Sequence, residues 1–409
     1  MNTQSDKSIV IVGAGHAGGS LAALLRQYGF QGKISLIGDE PCPPYHRPPL
    51  SKAWLKGELG LEALYLKPKA FYEMQNIEFL EGCRVTGFDP SAKLVRLSDG
   101  GSRRYDELVI ATGADSRRLS IPGADCSNVF YLRSLEDAEK LSEALRASKK
   151  LAVIGGGYIG LECAATARAM GIEVTVFERA PRILERVASA PLSEFLTKYH
   201  FEKGVQFHLD ASVAEILGGD CASGIRLSDG RVFDCDAVLV GVGAVPSTDL
   251  AIAAGLECND GISVDEDCRT AFPSVFAIGD VAKRPHPLFQ RDLRIESVPS
   301  AMEQAKRVAS FLTGKAPAAA EQPWFWSDQY DLKLQMVGLL TNANQYVVRG
   351  DIAVGKFCIF HFSDDCLVAA EAINAPPEFF AAKKMVGNQL ALDKTLLSDM
   401  SVPLNGFVK

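Results

Sequence analysis

Two sets of three glycines have the spacing to bind phosphate. Gly13, Gly15 and Gly18 follow the apolar run Ile9 to Val12, and Gly155, Gly157 and Gly160 follow Leu151 to Ile154. In each set the G-x-G-x-x-G spacing supplies one glycine for a tight turn, one that lets backbone approach a pyrophosphate, and one that lets helix and strand pack closely. The helix behind each loop offers unpaired N–H groups to the phosphates. Each loop also has an acid downstream: Asp39 lies about twenty residues beyond Gly18, and Glu178 lies eighteen beyond Gly160. A carboxylate there accepts hydrogen bonds from an adenosine ribose. Either loop taken alone also reads as a plain structural turn, and Asp39 as a solvated strand end.

Two further side chains are candidates for cofactor chemistry. Five prolines between Pro41 and Pro49 exclude regular helix and make a stiffened loop that presents Lys52. A cation there could sit beside an electron-rich cofactor ring and favour its anionic reduced form; alternatively, Arg47 and Lys52 are exposed charges. Asp280 ends the buried-strand pattern that starts at Ser274. Its carboxylate could bind the ribityl or pyrophosphate region of a flavin dinucleotide, or cap the next helix.

The elements that position these groups recur. Strand, glycine turn, helix and second strand are expected over Ile9 to Gly38 and again over Lys150 to Glu178. The hairpin signal Val95-Arg96-Leu97-Ser98-Asp99-Gly100 returns as Ile225-Arg226-Leu227-Ser228-Asp229-Gly230, and each copy leads into a strand that ends in glycine, at Gly113 and Gly243. Two halves of one design imply two dinucleotide sites. A helix is expected to begin near Ala301, and a small, proline-bearing linker over Thr313 to Ala320 marks a boundary. Beyond it, aromatic strand-like segments starting at Trp324-Phe325-Trp326 carry no phosphate loop and read as a small α+β cap or interface domain.

The 409-residue chain allows two or three domains, and its 47% hydrophobic and 23% charged residues are those of an ordinary globular protein. A net charge of −7 argues against nucleic acid as the main ligand. The polar start lacks a signal pattern and no apolar run is long enough to span a membrane, so the expected location is cytoplasmic. Ten cysteines and six histidines are scattered without metal-like pairing, so no metal site is expected.

Several segments resemble the FAD-dependent, NADH-consuming ferredoxin reductases with a glutathione-reductase-like fold. They are Arg47 to Lys52, Tyr131 to Asp137, Gly155 to Glu162, Arg294 to Val298 and Pro323 to Gln329, in order over nearly the whole chain. The resemblance implies an α/β fold with two Rossmann-type dinucleotide-binding domains, FAD at 1–114 and 246–322 and NAD at 115–245, and a C-terminal α+β interface domain at 323–409. It implies flavin contacts at Gly13, Gly15, Ala17, Gly18, Asp39, Arg47, Val85, Ala111, Arg133, Asp280, Glu296, Val298 and Trp326. It places NADH at Gly155, Gly157, Ile159, Gly160, Glu178, Arg186 and Gly243. Lys52 and Glu162 resemble the ion pair beside flavin N5, which are the catalytic candidates. Glu178 should favour the free ribose 2′-hydroxyl of NAD over the 2′-phosphate of NADP, although Arg179 beside it departs from that pattern. Gly38 stands at the strand tip where the second half has Glu178, so Asp39 is displaced by one residue.

The function implied is passage of electrons from NADH through FAD to a [2Fe–2S] ferredoxin that feeds a cytochrome P450 or a ring-hydroxylating dioxygenase. Lys306 and Arg307, with Arg291 behind them, are the candidate basic patch for an acidic ferredoxin. Cys42 stands alone among prolines, which argues against disulfide chemistry. The rivals are a single-cysteine NADH oxidase or peroxidase using Cys42, and a redox-switched FAD interaction protein of the apoptosis-inducing-factor type.

Overall fold

The β-branched strand Ser8–Val12 lies at the centre of a five-stranded parallel sheet, in the order Val275–Ala277, Glu107–Ile110, Ser8–Val12, Lys33–Ile37, Ile77–Leu80. The computed structural model describes residues 6–287, 289–316, 321–386 and 392–407. Alternation splits the central strand between two cores. Ile9 and Ile11 pack with Leu21, Leu25, Ala305 and Val308 from helices His16–Gln27 and Val298–Thr313. Val10 and Val12 pack with Val95 and Leu97 on the other face. These come from the three-stranded antiparallel sheet Val85–Asp89, Leu94–Leu97 and Ser102–Arg104. Burying each such aliphatic side chain stabilises the fold by roughly 1.5–3 kcal/mol.

The design repeats. Lys150–Ile154 is the middle strand of a second parallel sheet, ordered Val205–His208, Glu173–Phe177, Lys150–Ile154, Ala237–Val240, Val129–Tyr131. Helix Tyr158–Ala169 contributes Cys163, Ala164 and Ala167 to one face, and a second antiparallel three-stranded sheet covers the other with Ile216, Ile225 and Leu227. The paired S-D-G segments are matching hairpin turns: Gly100 and Gly230 have φ of 85° and 89°. In each, the aspartate accepts a backbone N–H two residues on, Asp99 from Gly101 at 2.8 Å and Asp229 from Arg231 at 3.1 Å.

The C-terminal segment forms an antiparallel sheet ordered Trp324–Gln329, Leu332–Gly338, Cys366–Ile373, Lys356–Ser363, Gln345–Asp351. Alternation again gives it two buried faces. Cys358, Phe360 and Phe362 face helix Pro376–Met385, whereas Phe357, Ile359 and Ile373 pack with Leu161, Ile183 and Leu192.

By contacts the chain forms two compact units. The first comprises Met1–Arg47, Gly60–Asp115 and Ala244–Glu321; the second comprises Pro48–Leu59, Ser116–Gly243 and Gln322–Lys409. Helix Val298–Thr313 starts three residues earlier than expected, because Ser297 caps it by accepting from Ser300 N–H at 3.2 Å and Pro299 is tolerated in the first turn. That helix ends at Gly314, with φ of 69°. Residues 317–320 of the expected linker lie outside the described residues. Among the described residues no helix is long and apolar enough to cross a membrane.

Burial lowers three histidines, His16, His200 and His286, from 6.5 to about 4. The unfolded chain therefore binds protons between these values while the folded chain does not. The contribution of these three groups to stability is expected to be complete above about pH 6.5 and to be lost, by several kcal/mol in total, as pH falls toward 4. Urea midpoints that stay flat over this interval would contradict it.

Candidate active site

In the first unit, Gly13 turns with φ of 108°, and its N–H bonds Ile37 O at 2.8 Å. A Cβ at Gly13 would lie 2.2 Å from Ala111 O, and one at Gly18 would lie 2.0 Å from Gly13 O. Both positions need hydrogen for close approach. Gly15 differs: a Cβ there would meet nothing within 4 Å. It is the N-cap of helix His16–Gln27 and supplies no side-chain cap to the first N–H groups. Ala17 is buried beside Gly279, where an added Cβ would lie 3.0 Å from that of Ala17.

The other first-unit candidates surround this turn or lie on neighbouring elements. Asp39 follows strand Lys33–Ile37 and pairs with Arg84 at 2.9 Å, both exposed. Val85 opens the strand Val85–Asp89. Ala111 N–H bonds Val12 O at 2.7 Å. Arg47 pairs with Glu40 at 2.6 Å and donates to Tyr45 Oη at 3.0 Å, so the proline-rich loop is cross-braced. Asp280 lies in the 3₁₀ turn Gly279–Val281, whose Gly279 N–H donates to buried Gln304 Oε1 at 2.8 Å. Glu296 pairs with Arg294, and Val298 is the first residue of its helix.

His16 was not among the residues selected from sequence. Its Nδ1 is buried without a hydrogen-bond partner, and its ring meets His46 edge-on at 5.2 Å. The available signal was its position, directly after the middle glycine. An orphaned polar atom beside an open helix N-terminus fits a phosphate-bearing group.

The second unit holds the matching loop. Gly155 has φ of 108°, and its Cβ would lie 2.5 Å from Gly241 O; a Cβ at Gly160 would lie 2.5 Å from Gly155 O. Gly157 caps its helix with no side-chain bond, and the nearest atom to an added Cβ is 3.8 Å away. Ile159, in the first turn, is 46% exposed despite being apolar. Glu178 Oε2 accepts from Gly156 N–H at 2.6 Å and Oε1 from Ala180 N–H at 2.8 Å, so the acid braces the loop it follows. Arg186 reaches to 3.7 Å of a Cβ placed at Gly243, and both Arg186 and Arg179 are exposed. Arg133 directly precedes the Ser134 cap of helix Leu135–Ala147, and its N–H donates to Asp137 at 3.1 Å.

Lys52 and Glu162 also belong to the second unit. Pro48–Ser51 is a 3₁₀ turn within the proline-rich segment, held by Thr166 Oγ1 donating to Ser51 O at 2.8 Å and Ser142 Oγ donating to Leu55 O at 3.2 Å. Lys52 Nζ then pairs with Glu162 Oε2 at 2.6 Å; the carboxylate is 3% exposed and the ammonium side chain 18%. Ser51 Oγ donates to the same carboxylate at 2.5 Å, and Ser327 Oγ donates to Oε1 at 2.6 Å. Three donors on one buried anion offset its desolvation and fix its direction. Sequence reasoning missed Ser51 and Ser327 as partners. Trp326, next to Ser327, is half-buried with its ring 5.6 Å from Trp324.

Both residues of the expected basic patch have acidic partners. Arg307 is 14% exposed and pairs with Glu303 at 3.1 Å and Asp267 at 3.8 Å, while Lys306 pairs with Glu321 at 3.4 Å. Helical i,i+4 spacing turns Arg307 onto Glu303 rather than outward. The Arg307→Glu variant is expected to lose about 3–5 kcal/mol of stability in thermal denaturation, since it sets a third carboxylate among two. A stable variant with weakened, salt-sensitive electron transfer would instead support Arg307 as part of a ferredoxin contact.

Residues 7–305 match the family described as pyridine nucleotide-disulphide oxidoreductase, and residues 324–408 match the reductase C-terminal family. The chain belongs to the pyridine nucleotide-disulphide oxidoreductase family. Its glutathione-reductase-like fold follows. A probable ferredoxin reductase, CtmF, of Castellaniella defragrans is 46% identical over 97% of this chain and 98% of its own length. Putidaredoxin reductase CamA of Pseudomonas putida is 41% identical over 99% of this chain and 97% of its own. The crystal structure of a covalent putidaredoxin reductase–putidaredoxin complex matches with a TM-score of 0.96 at 41% identity, covering 98% of both chains. Despite the family's description, Cys126, Cys163, Cys235, Cys268 and Cys358 are buried free thiols, and Cys83, Cys221, Cys258 and Cys366 are free as well.

Proposed function

We propose that the chain is a flavoprotein reductase that takes electrons from NADH and passes them to a [2Fe–2S] ferredoxin serving a cytochrome P450 or a ring-hydroxylating dioxygenase. The observation that carries this reading is the pairing of two phosphate loops, each open at its middle glycine, with a buried Lys52–Glu162 pair. The names of the relatives, both ferredoxin-type reductases, support the choice of acceptor.

On this reading residues 1–114 and 246–322 bind FAD, residues 115–245 bind NADH, and residues 323–409 form an interface domain. When bound, FAD supplies the conversion of a two-electron hydride into single electrons. The residues supply the rest. Gly15 and the N–H groups behind it receive the FAD pyrophosphate, with Asp39 toward the adenosine ribose and Arg47 and Asp280 as further contacts. Gly157 and its helix receive NADH, and Glu178 accepts from the free 2′-hydroxyl while repelling a 2′-phosphate. Lys52 holds positive charge where negative charge accumulates on reduction, and Glu162 keeps the ammonium in place.

Stopped-flow mixing tests this. NADH should bleach the flavin at least about tenfold faster than NADPH, and the reduced protein should then reduce a [2Fe–2S] ferredoxin. Absence of bleaching with both nucleotides would end the reductase reading. Preference for NADPH would refute the role of Glu178.

A further inference from the structure

The Glu162 carboxylate is the end of a longer buried chain of donors. Ser327 Oγ contacts Glu162 Oε1 at 2.6 Å, Gln329 Nε2 contacts Ser327 Oγ at 3.1 Å, and His200 Nε2 contacts Gln329 Oε1 at 2.7 Å. Tyr330 Oη closes the row on His200 Nδ1 at 3.4 Å. Glu162, Ser327, Gln329 and His200 are each at most 3% exposed. Strand Trp324–Gln329 carries Ser327 and Gln329 on one face, two residues apart, and helix Ala190–Glu202 brings His200 against them.

With Glu162 charged and His200 held neutral by its burial, one assignment of protons satisfies this row. A charged carboxylate only accepts, so Ser327 must spend its single proton on Glu162. Ser327 Oγ must then accept from the Gln329 amide N–H, which turns the amide oxygen toward His200. That oxygen needs a donor, so the imidazole carries its proton on Nε2 and leaves Nδ1 to accept from Tyr330. The charge on Glu162 thus dictates a tautomer three side chains away, and every donor in the row points at the anion that holds Lys52.

We propose that Ser327, Gln329 and His200 are positioning residues that hold Glu162, and through it Lys52, in a single electrostatic arrangement. The inference rests on the reading of Lys52 as the cation that serves the reduced flavin. It assigns the aromatic strand of the C-terminal sheet a part in the chemistry of that cation, beyond covering the molecule.

The test uses the flavin-bound full-length protein and reads the acylation rate of Lys52 by a water-soluble succinimidyl ester, peptide by peptide, with exposed Lys67 as the internal reference. Ser327→Ala removes the Oε1 donor. Gln329→Glu keeps the shape of the side chain but puts a second carboxylate where the amide donated, so one hydroxyl proton must serve two anions. Both are expected to raise Lys52 acylation about tenfold, the factor for losing one hydrogen bond to a charged group. Ser327→Thr, which keeps the hydroxyl, is expected to stay within about twofold. Imidazole nitrogen chemical shifts should show His200 neutral with the proton on Nε2 in the unsubstituted protein, and doubly protonated in Gln329→Glu at neutral pH. Unchanged acylation in both Ser327→Ala and Gln329→Glu would overturn the proposal, and so would a proton on Nδ1 of the unsubstituted protein. None of these readouts involves NADH, so failure of the reductase reading would show separately, as absent bleaching with the labelling differences intact.

Discussion

The Gly15→Leu variant is expected to fold and to be isolated colourless, whereas Gly157→Leu is expected to fold, keep its flavin and lose its response to NADH. Neither backbone position resists a side chain: φ is −80° at Gly15 and −81° at Gly157. An added Cβ meets nothing within 4 Å in the first case and only Gly241 O at 3.8 Å in the second. On the proposed assignment, the space a leucine would enter is that of the ligand. Filling it should weaken binding by about 3 kcal/mol or more, roughly a hundredfold. Gly13→Ala is the control for folding, because its Cβ falls 2.2 Å from Ala111 O and the protein itself should fail. Absorbance of the purified variants, and stopped-flow titration with NADH, separate the loops. Two yellow variants that both bleach normally would sink the assignment of either loop.

The second large effect belongs to Glu162. Glu162→Ala leaves Lys52, Ser51 and Ser327 without their shared acceptor inside the protein, and removing one partner of such a pair costs about 3–5 kcal/mol. Glu162→Gln keeps the volume and one acceptor oxygen but directs an amide N–H at a donor. Here the fold should survive while the rate of flavin bleaching by NADH falls by roughly ten- to a hundredfold, because Lys52 loses its fixed counter-ion. Urea unfolding of the first variant and stopped-flow absorbance of the second measure the two outcomes. A Glu162→Gln protein with unaltered bleaching would remove the pair from the mechanism.

The glycine loops were legible in sequence because their constraints are local. A positive φ at Gly13 and the contact of Gly18 with Gly13 O both arise within one turn, and only glycine answers them. The duplicated S-D-G hairpins were legible for the same reason. What sequence did not reveal lies far apart along the chain: Ser327 and Glu162 are 165 residues apart, and His200 and Gln329 are 129 apart. No spacing rule relates a serine on a late strand to a glutamate on an earlier helix. The partners of Arg307 were not legible either, because one of them, Asp267, comes from a distant loop and only Glu303 lies one turn away.

The segment Pro48–Leu59 belongs to the second compact unit although residues on both sides of it belong to the first. Leu55, fully buried, fills the core beneath helices Leu135–Ala147 and Tyr158–Ala169. Neither half can therefore be freed by one cut or encoded as one continuous stretch. A fragment beginning at residue 116 would lack both the plug of its own core and the partner of Glu162. An exchange of one nucleotide-binding half for another must therefore carry this twelve-residue segment with the half whose core it fills.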